Sequence, residues 1–169
     1  MDSVRIVIGN ICSVLAMGTD SISSTQKTAT RVLWVQTLSQ LIYFIGTLVL
    51  KGYSGAVQNA ISLVRNLVAI KKIESKILEW TFVALGVVLG LIFNNLGWMG
   101  LLPIVANLLY TLAVFRFKEN EIALKTAFLI SVLLFAFFNL AIFNFVGFCT
   151  NLFVALTTII FLLKKKKSA

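Results

Sequence analysis

Apolar residues run along this chain in stretches too long for one helix of a folded domain, and polar residues interrupt them at nearly regular intervals. Val32–Ile70, Ile77–Phe115 and Ile122–Leu163 each hold about 40 residues. As a single helix each would be roughly 60 Å long, about twice the hydrocarbon thickness of a bilayer. Turn residues stand near the middle of each stretch: Lys51-Gly-Tyr-Ser-Gly55, Asn94-Asn95-Leu-Gly-Trp98 and Asn144-Phe-Val-Gly147. The pattern therefore predicts three helical hairpins, with the shorter run Val4–Met17 as a seventh helix. Strand-like alternation is missing, and backbone groups in lipid must be satisfied within the segment, so every element is expected to be helical. The N-terminal run has one basic residue and no convincing cleavage site before Asp20, and it is read as a retained first helix.

Composition turns this pattern into a statement about solvent. The chain has 169 residues, of which 59% are hydrophobic and 12% charged. Soluble domains are about a quarter charged. The fold class expected is an all-α polytopic membrane protein, with residues 1–169 as one membrane domain. Histidine is absent, which removes histidine-based metal sites and acid–base chemistry. Cys12 and Cys149 lie far apart in apolar segments and read as small buried side chains. No nucleophile–base set, phosphate loop or metal motif occurs, so neither enzymatic activity nor a cofactor is expected.

Charge gives an orientation. Twelve of the fifteen basic residues fall in four clusters between hairpins or at the end: Lys27 and Arg31; Lys71, Lys72 and Lys76; Arg116, Lys118 and Lys125; and Lys164 to Lys167. A hairpin begins and ends on one side, so the clusters share a side, and the positive-inside rule makes that side cytoplasmic. The opposite side has only Arg5 and Lys51. Seven crossings then put the N-terminus outside and the C-terminus in the cytoplasm. The net charge of +9 follows from these clusters and calls for anionic lipid rather than nucleic acid.

Shifting the chain by 92 residues superimposes several landmarks. Ser39 falls on Ser131, Leu41 on Leu133, Leu48 on Leu140, Gly55 on Gly147, Asn59 on Asn151 and Lys72 on Lys164. Residues 4–72 and 98–164 are read as parallel three-helix repeats, with 77–97 as a connector helix. An odd number of crossings separates them, so the pseudo-axis runs along the membrane normal.

Polar residues within the expected spans are the candidates for function. Ser54, Gln58, Ser62 and Arg65 follow helical spacing along span three, beside Gly55, Asn59 and Asn66, and such a face belongs against protein or water. The corresponding face of span seven has Gly147, Thr150, Asn151 and Thr158. Carboxamides at Asn59 and Asn151 offer donors and acceptors to a polar solute from opposite walls, or hydrogen-bond helices together. Arg65, about 9 Å from the end of its span, either snorkels or attracts an anion. Gln36, Ser39, Gln40 and Tyr43 make a polar face on span two. Tyr43 and Phe135 correspond under the same shift and could close over a solute by stacking. Gly86 and Gly90 read as a helix-packing patch. No carboxylate is placed within a span, which favours passive facilitation over proton or sodium coupling.

The stretches Gly52-Tyr-Ser-Gly-Ala56, Asn59-Ala-Ile with Arg65, and Leu101-Leu-Pro103 leading to Phe115-Arg116 resemble the bacterial inner-membrane family labelled YgjV. The resemblance covers about Ile8 to Leu163, and it extends distantly to the SWEET and PQ-loop transporter group. It implies a three-plus-one-plus-three helix plan with an outside N-terminus. It also implies a small solute held between Asn59 and Asn151 and covered by Tyr43 and Phe135; Gln58 and Arg65, from the polar stripe of span three itself, are expected to tune polarity. The chain departs from that group in having one proline, Pro103, and no tryptophan at the aromatic positions. The function expected is facilitated movement of a small polar solute, such as a sugar, by alternating access. A membrane scaffold that docks partner helices, and an uptake protein for a vitamin precursor or anionic metabolite, are the competing readings. A homo-oligomer is compatible with either.

Overall fold

The structure is a computed structural model and describes residues 3–24, 29–71, 75–117 and 120–167. Those residues form seven α-helices and one short 3-10 turn, with no strand among them: α1 Ser3–Ser24, α2 Ala29–Val49, α3 Tyr53–Ile70, α4 Lys76–Ile92, the 3-10 turn Gly97–Gly100, α5 Leu101–Arg116, α6 Glu121–Ala141 and α7 Phe145–Lys167. Each of the three turn signals falls at a helix break, between α2 and α3, α4 and α5, and α6 and α7. The first helix is longer than its apolar run and continues through Gly18-Thr-Asp-Ser to Ser24, although these are weak helix formers. Lys27, Lys72 and Lys118 of the basic clusters lie outside the described residues, as does the side chain of Gln36.

Local chemistry explains the boundaries. Ser75 accepts from the Ile77 amide at 3.2 Å and starts α4, and Asn120 accepts from the Ala123 amide at 3.0 Å and starts α6. Pro103 sits in the first turn of α5, where a missing N–H costs no helical bond.

Helices α2 and α6 end identically. Lys51 and Phe143 both adopt the left-handed conformation, with φ of 59° and 61°. The Gly52 amide donates to the Thr47 carbonyl at 2.9 Å, and the Asn144 amide donates to the Asn139 carbonyl at 2.8 Å. Lys51 and Phe143 themselves donate to Leu48 and Leu140 at 3.0 and 3.1 Å. Each is a Schellman cap, and every residue of one lies 92 positions from its counterpart in the other.

Helix α2 packs against α1 and α3, and α6 against α5 and α7. The contacts of α3 with α5 and of α1 with α7 join these two groups into a cycle, while α4 lies principally against α3 and α5. Phe138 is fully buried between the groups with Leu50 and Ile142. Its ring occupies the space beside Gly55, where a Cβ would come within 2.3 Å of it.

The interior is unusually polar. Among the described residues, buried polar side chains such as Ser13, Ser39, Thr47, Ser54, Gln58 and Asn107 outnumber buried apolar ones. Large apolar side chains instead cover the outside, for example Ile11, Leu41, Val88, Phe137, Phe153 and Ile160. A water-soluble fold hides apolar surface; this arrangement does the reverse. By length and composition, one helix among the described residues qualifies alone as a membrane crossing, α7 over Phe145–Lys164, and four shorter apolar helical segments accompany it.

One expectation is corrected. Glu79 lies within α4, in its first turn, and is buried. The spans were expected to hold no carboxylate, but Arg116 at the end of α5 neutralises this one, donating from Nε at 3.1 Å. Trp80 stacks beneath the same guanidinium, 5.4 Å from ring centre to Cζ.

Candidate functional site: a polar seam between three helices

Three helices meet along a continuous line of hydrogen bonds. Gln58 on α3 is completely buried and enters α4 where Gly86 and Gly90 leave no side chain in its way. A Cβ at Gly90 would lie 2.6 Å from Gln58 Nε2 and equally close to Ile104. Gln58 Nε2 donates to the Gly86 carbonyl at 2.8 Å, and Gln58 Oε1 accepts from Asn107 Nδ2 at 2.7 Å. The glycine patch on α4 thus does more than let two helices approach: it opens a helical carbonyl to a carboxamide from its neighbour.

These two bonds fix the direction of Asn107. With Nδ2 engaged by Gln58, its Oδ1 turns the other way and accepts from Ser62 Oγ at 3.4 Å and from Arg65 Nη1 at 3.3 Å. Arg65 Nη1 also donates to Thr111 Oγ1 at 3.0 Å, and the guanidinium lies over Tyr110, 5.6 Å from the ring centre. Tyr110 in turn packs against Phe128 of α6, with ring centres 5.5 Å apart. The arginine is therefore held by neutral oxygens and an aromatic face. The only ion pair between described residues is Arg116 with Glu79.

Of the residues singled out in the sequence, Gln58 and Arg65 belong to this seam. Asn59 is buried one position away and faces α2, donating from Nδ2 to Thr47 Oγ1 at 3.0 Å. The Thr47 hydroxyl in turn donates to the main-chain carbonyl of Tyr43 one turn earlier, so the bonds of Asn59 stay within the first hairpin. Asn151 is half-buried on α7 and Phe135 is packed against the Leu50–Phe138–Ile142 cluster. No hydrogen bond joins Asn59 to Asn151, and α3 and α7 are not principal neighbours. Cys12 is half-buried and Cys149 exposed, both as free thiols.

Sequence reasoning passed over Asn107, Tyr110 and Thr111. Their signal is an i, i+3, i+4 spacing of polar-tipped residues in the otherwise apolar run Leu101–Phe115.

A second, neutral polar group lies at the other end of the bundle. Asn10 on α1 donates to the Phe143 carbonyl at 3.0 Å and accepts from the Val146 amide at 2.9 Å. Ser13 donates to Asn144 Oδ1 at 2.9 Å, and Asn144 Nδ2 donates to Asn139 at 3.1 Å. Asn95, just before the 3-10 turn, donates to the Lys51 carbonyl at 2.7 Å and accepts from the Tyr53 amide at 3.3 Å. Each left-handed turn is clasped by an asparagine from the other half of the chain.

An apolar exterior around a hydrogen-bonded polar interior calls for a lipid environment, and comparison with known families agrees. The model of the bacterial inner membrane protein family Imp-YgjV matches residues 7–168. The chain belongs to that family. No curated protein and no solved structure matches it. For an Imp-YgjV protein of the bacterial inner membrane, the exposed leucines, isoleucines and phenylalanines are in their proper solvent. The buried carboxamides and the guanidinium are what needs explaining, because polar groups in such surroundings are costly unless they are bonded or used.

Proposed function

We propose that this Imp-YgjV protein is a multi-pass transporter that passes a small polar solute across the inner membrane. In this reading α1–α3 and α5–α7 are parallel repeats joined by α4, and they rock about Phe138 and the asparagine clasps to give alternating access. The N-terminus faces out and the C-terminus is cytoplasmic, as the basic clusters require. Residues 92 positions apart in the two Schellman caps support equivalent halves, and a parallel repeat is an established transporter plan.

The observation that carries the reading is the seam from Gly86 through Gln58 and Asn107 to Arg65 and Thr111. Helix association needs only hydrogen bonds of about 1 kcal/mol each, and it has no use for a guanidinium without a carboxylate. A path for polar matter does. Asn59, Tyr43, Asn151 and Phe135 are assigned to the walls of that path in other states of the cycle.

The scaffold reading has one observation in its favour, the bond from Asn59 to Thr47, which is ordinary helix glue. The two readings part in a thermal-unfolding screen of the purified chain in nanodiscs against sugars, nucleosides, vitamins and organic acids. A transporter is expected to give at least one saturable rise in melting temperature that Gln58→Leu removes, followed by uptake of that compound into proteoliposomes. A panel that never shifts the melting temperature would leave the scaffold reading standing.

A further inference from the structure

We infer that Arg65 is the seat of an oxyanion site, built to take a carboxylate or phosphate group at the cytoplasmic end of the polar seam. The inference rests on the transport reading in one respect: it makes the transported solute an anion.

The Arg65 guanidinium is short of partners. It carries five N–H donors in a rigid fork. The bonds it makes come from Nη1, to Asn107 and Thr111. Buried polar atoms without a partner, among the described residues, are confined to Arg5 Nε and Ser54 Oγ. The remaining donors of Arg65 therefore are not sealed in the interior; they reach accessible surface. Charge is the second deficiency. Glu79, the buried carboxylate of the neighbouring helix, is taken by Arg116, and Arg65 has no carboxylate partner among the described residues. A positive charge in these surroundings, held by dipoles alone, is an attractive seat for an anion, because a charge-assisted bond there is stronger than a neutral one.

The surroundings are also arranged in advance. The relay from the Gly86 carbonyl through Gln58 determines which end of the Asn107 carboxamide faces the arginine, and that end is the oxygen. Together with Thr111 and the Tyr110 ring it anchors one edge of the guanidinium. The opposite edge, Nε and Nη2, is left to present two parallel donors, the geometry that suits a carboxylate or phosphate. Snorkelling requires none of this anchoring. About 9 Å separates Arg65 from Lys71 along the helix, so a phosphate could arrive as a free solute or as a lipid headgroup.

The test uses the full chain in nanodiscs of uncharged phosphatidylcholine at constant ionic strength. Thermal unfolding is followed against inorganic phosphate, and against acetate and succinate as carboxylate probes. At a hundredfold excess over the midpoint, at least one probe is expected to raise the melting temperature by about 5 °C. Arg65→Gln should abolish the response, and Arg65→Lys, which keeps the charge but loses the fork, should weaken binding about tenfold or more. Lys71→Gln removes an equal charge nearby and should leave the response intact. If Arg65→Gln does not fold, Thr111→Val must weaken the same response by releasing the anchored edge. A parallel series in phosphatidylglycerol nanodiscs separates the sources: a stabilisation seen only there and dependent on Arg65 upholds the oxyanion site and assigns it to lipid. Absence of any Arg65-dependent response to phosphate, carboxylate or phosphatidylglycerol overturns the site. Arg65-dependent binding without uptake into proteoliposomes upholds the site and sinks the transport reading. Uptake of an uncharged solute that Arg65→Gln leaves unchanged does the opposite.

Discussion

Helices α3 and α7 begin from the same turn and lead different lives. The backbone bonds around Lys51–Gly52 recur around Phe143–Asn144 at a spacing of 92 residues, so the two hairpins start from one geometry. Along α3 the residues Gln58, Asn59, Ser62 and Asn66 are buried. At the same spacing α7 carries Thr150, Asn151, Val154 and Thr158, of which only Thr158 is buried, and its hydroxyl turns back on the Val154 carbonyl at 2.8 Å. The difference lies in their neighbours. Helix α3 has α2, α4 and α5 around it, whereas α7 has α6 and α1. A third neighbour is what lets α3 carry carboxamides and a guanidinium. Without one, α7 must be apolar, with Phe153, Leu156 and Ile160 outward, and it qualifies as a membrane crossing by its length and composition. Near-equivalent backbones can thus diverge in chemistry because one extra helix changes which faces meet lipid.

The sharpest way to break this comparison is to remove one carboxamide from each side. Asn107→Leu strands Gln58 Oε1 and takes an acceptor from Ser62 and Arg65 together, and stranded buried partners of a charge are expensive. We expect a loss of about 3 kcal/mol or more in unfolding of the chain in detergent micelles. Asn151→Leu, on the less crowded helix, should stay within about 0.5 kcal/mol of the parent. Equal losses would mean that α7 depends on polar packing to the same degree as α3.

This asymmetry marks the limit of what the sequence discloses. Seven helices and three turns are legible because apolar runs of excessive length must fold back, and because Lys51-Gly52, Asn94-Asn95 and Asn144 interrupt them. The face of α3 is legible too, since Ser54, Gln58, Ser62 and Arg65 repeat with helical period. What faces it is not. Periodicity names a face and never its partner, so nothing in the apolar run of α5 points from Asn107 and Thr111 to α3. Symmetry pairs Asn59 with Asn151, while the bond of Asn59 goes to Thr47. Glu79 is hidden for a related reason: its cost in an apolar helix is cancelled by Arg116, 37 positions away.

The second test approaches the seam from α4. Gly90→Ala puts a methyl where Gln58 Nε2 and Ile104 already are, and overpacking of this kind costs about 1–3 kcal/mol. Gly18→Ala in α1 meets nothing within 4 Å and should gain up to about 1 kcal/mol from helix propensity. Opposite signs in the same unfolding assay would tie the α4 glycine to the seam. A gain at both would show that Gln58 can leave α4 without penalty, and the third neighbour would lose its importance.

The smallest effect concerns the feature the two hairpins share. Lys51 and Phe143 occupy a conformation that glycine adopts without penalty and other residues adopt at about 1 kcal/mol or more. Both side chains are exposed, so what holds the turns is the backbone cap and the asparagine clasped to each carbonyl. Lys51→Gly should therefore stabilise the chain by about 0.5–1 kcal/mol. Phe143→Gly should gain less, because it gives up the edge contact of its ring with Phe145, 6.2 Å between centres. Repeating both substitutions over Asn95→Ala and Asn10→Ala separates cap from clasp. If the clasp supports the left-handed residue, glycine rescues part of the stability lost with the asparagine, and it does so at both turns. Rescue at Lys51 alone would mean that the Asn10 clasp serves the contact of α1 with α7 rather than the turn it touches.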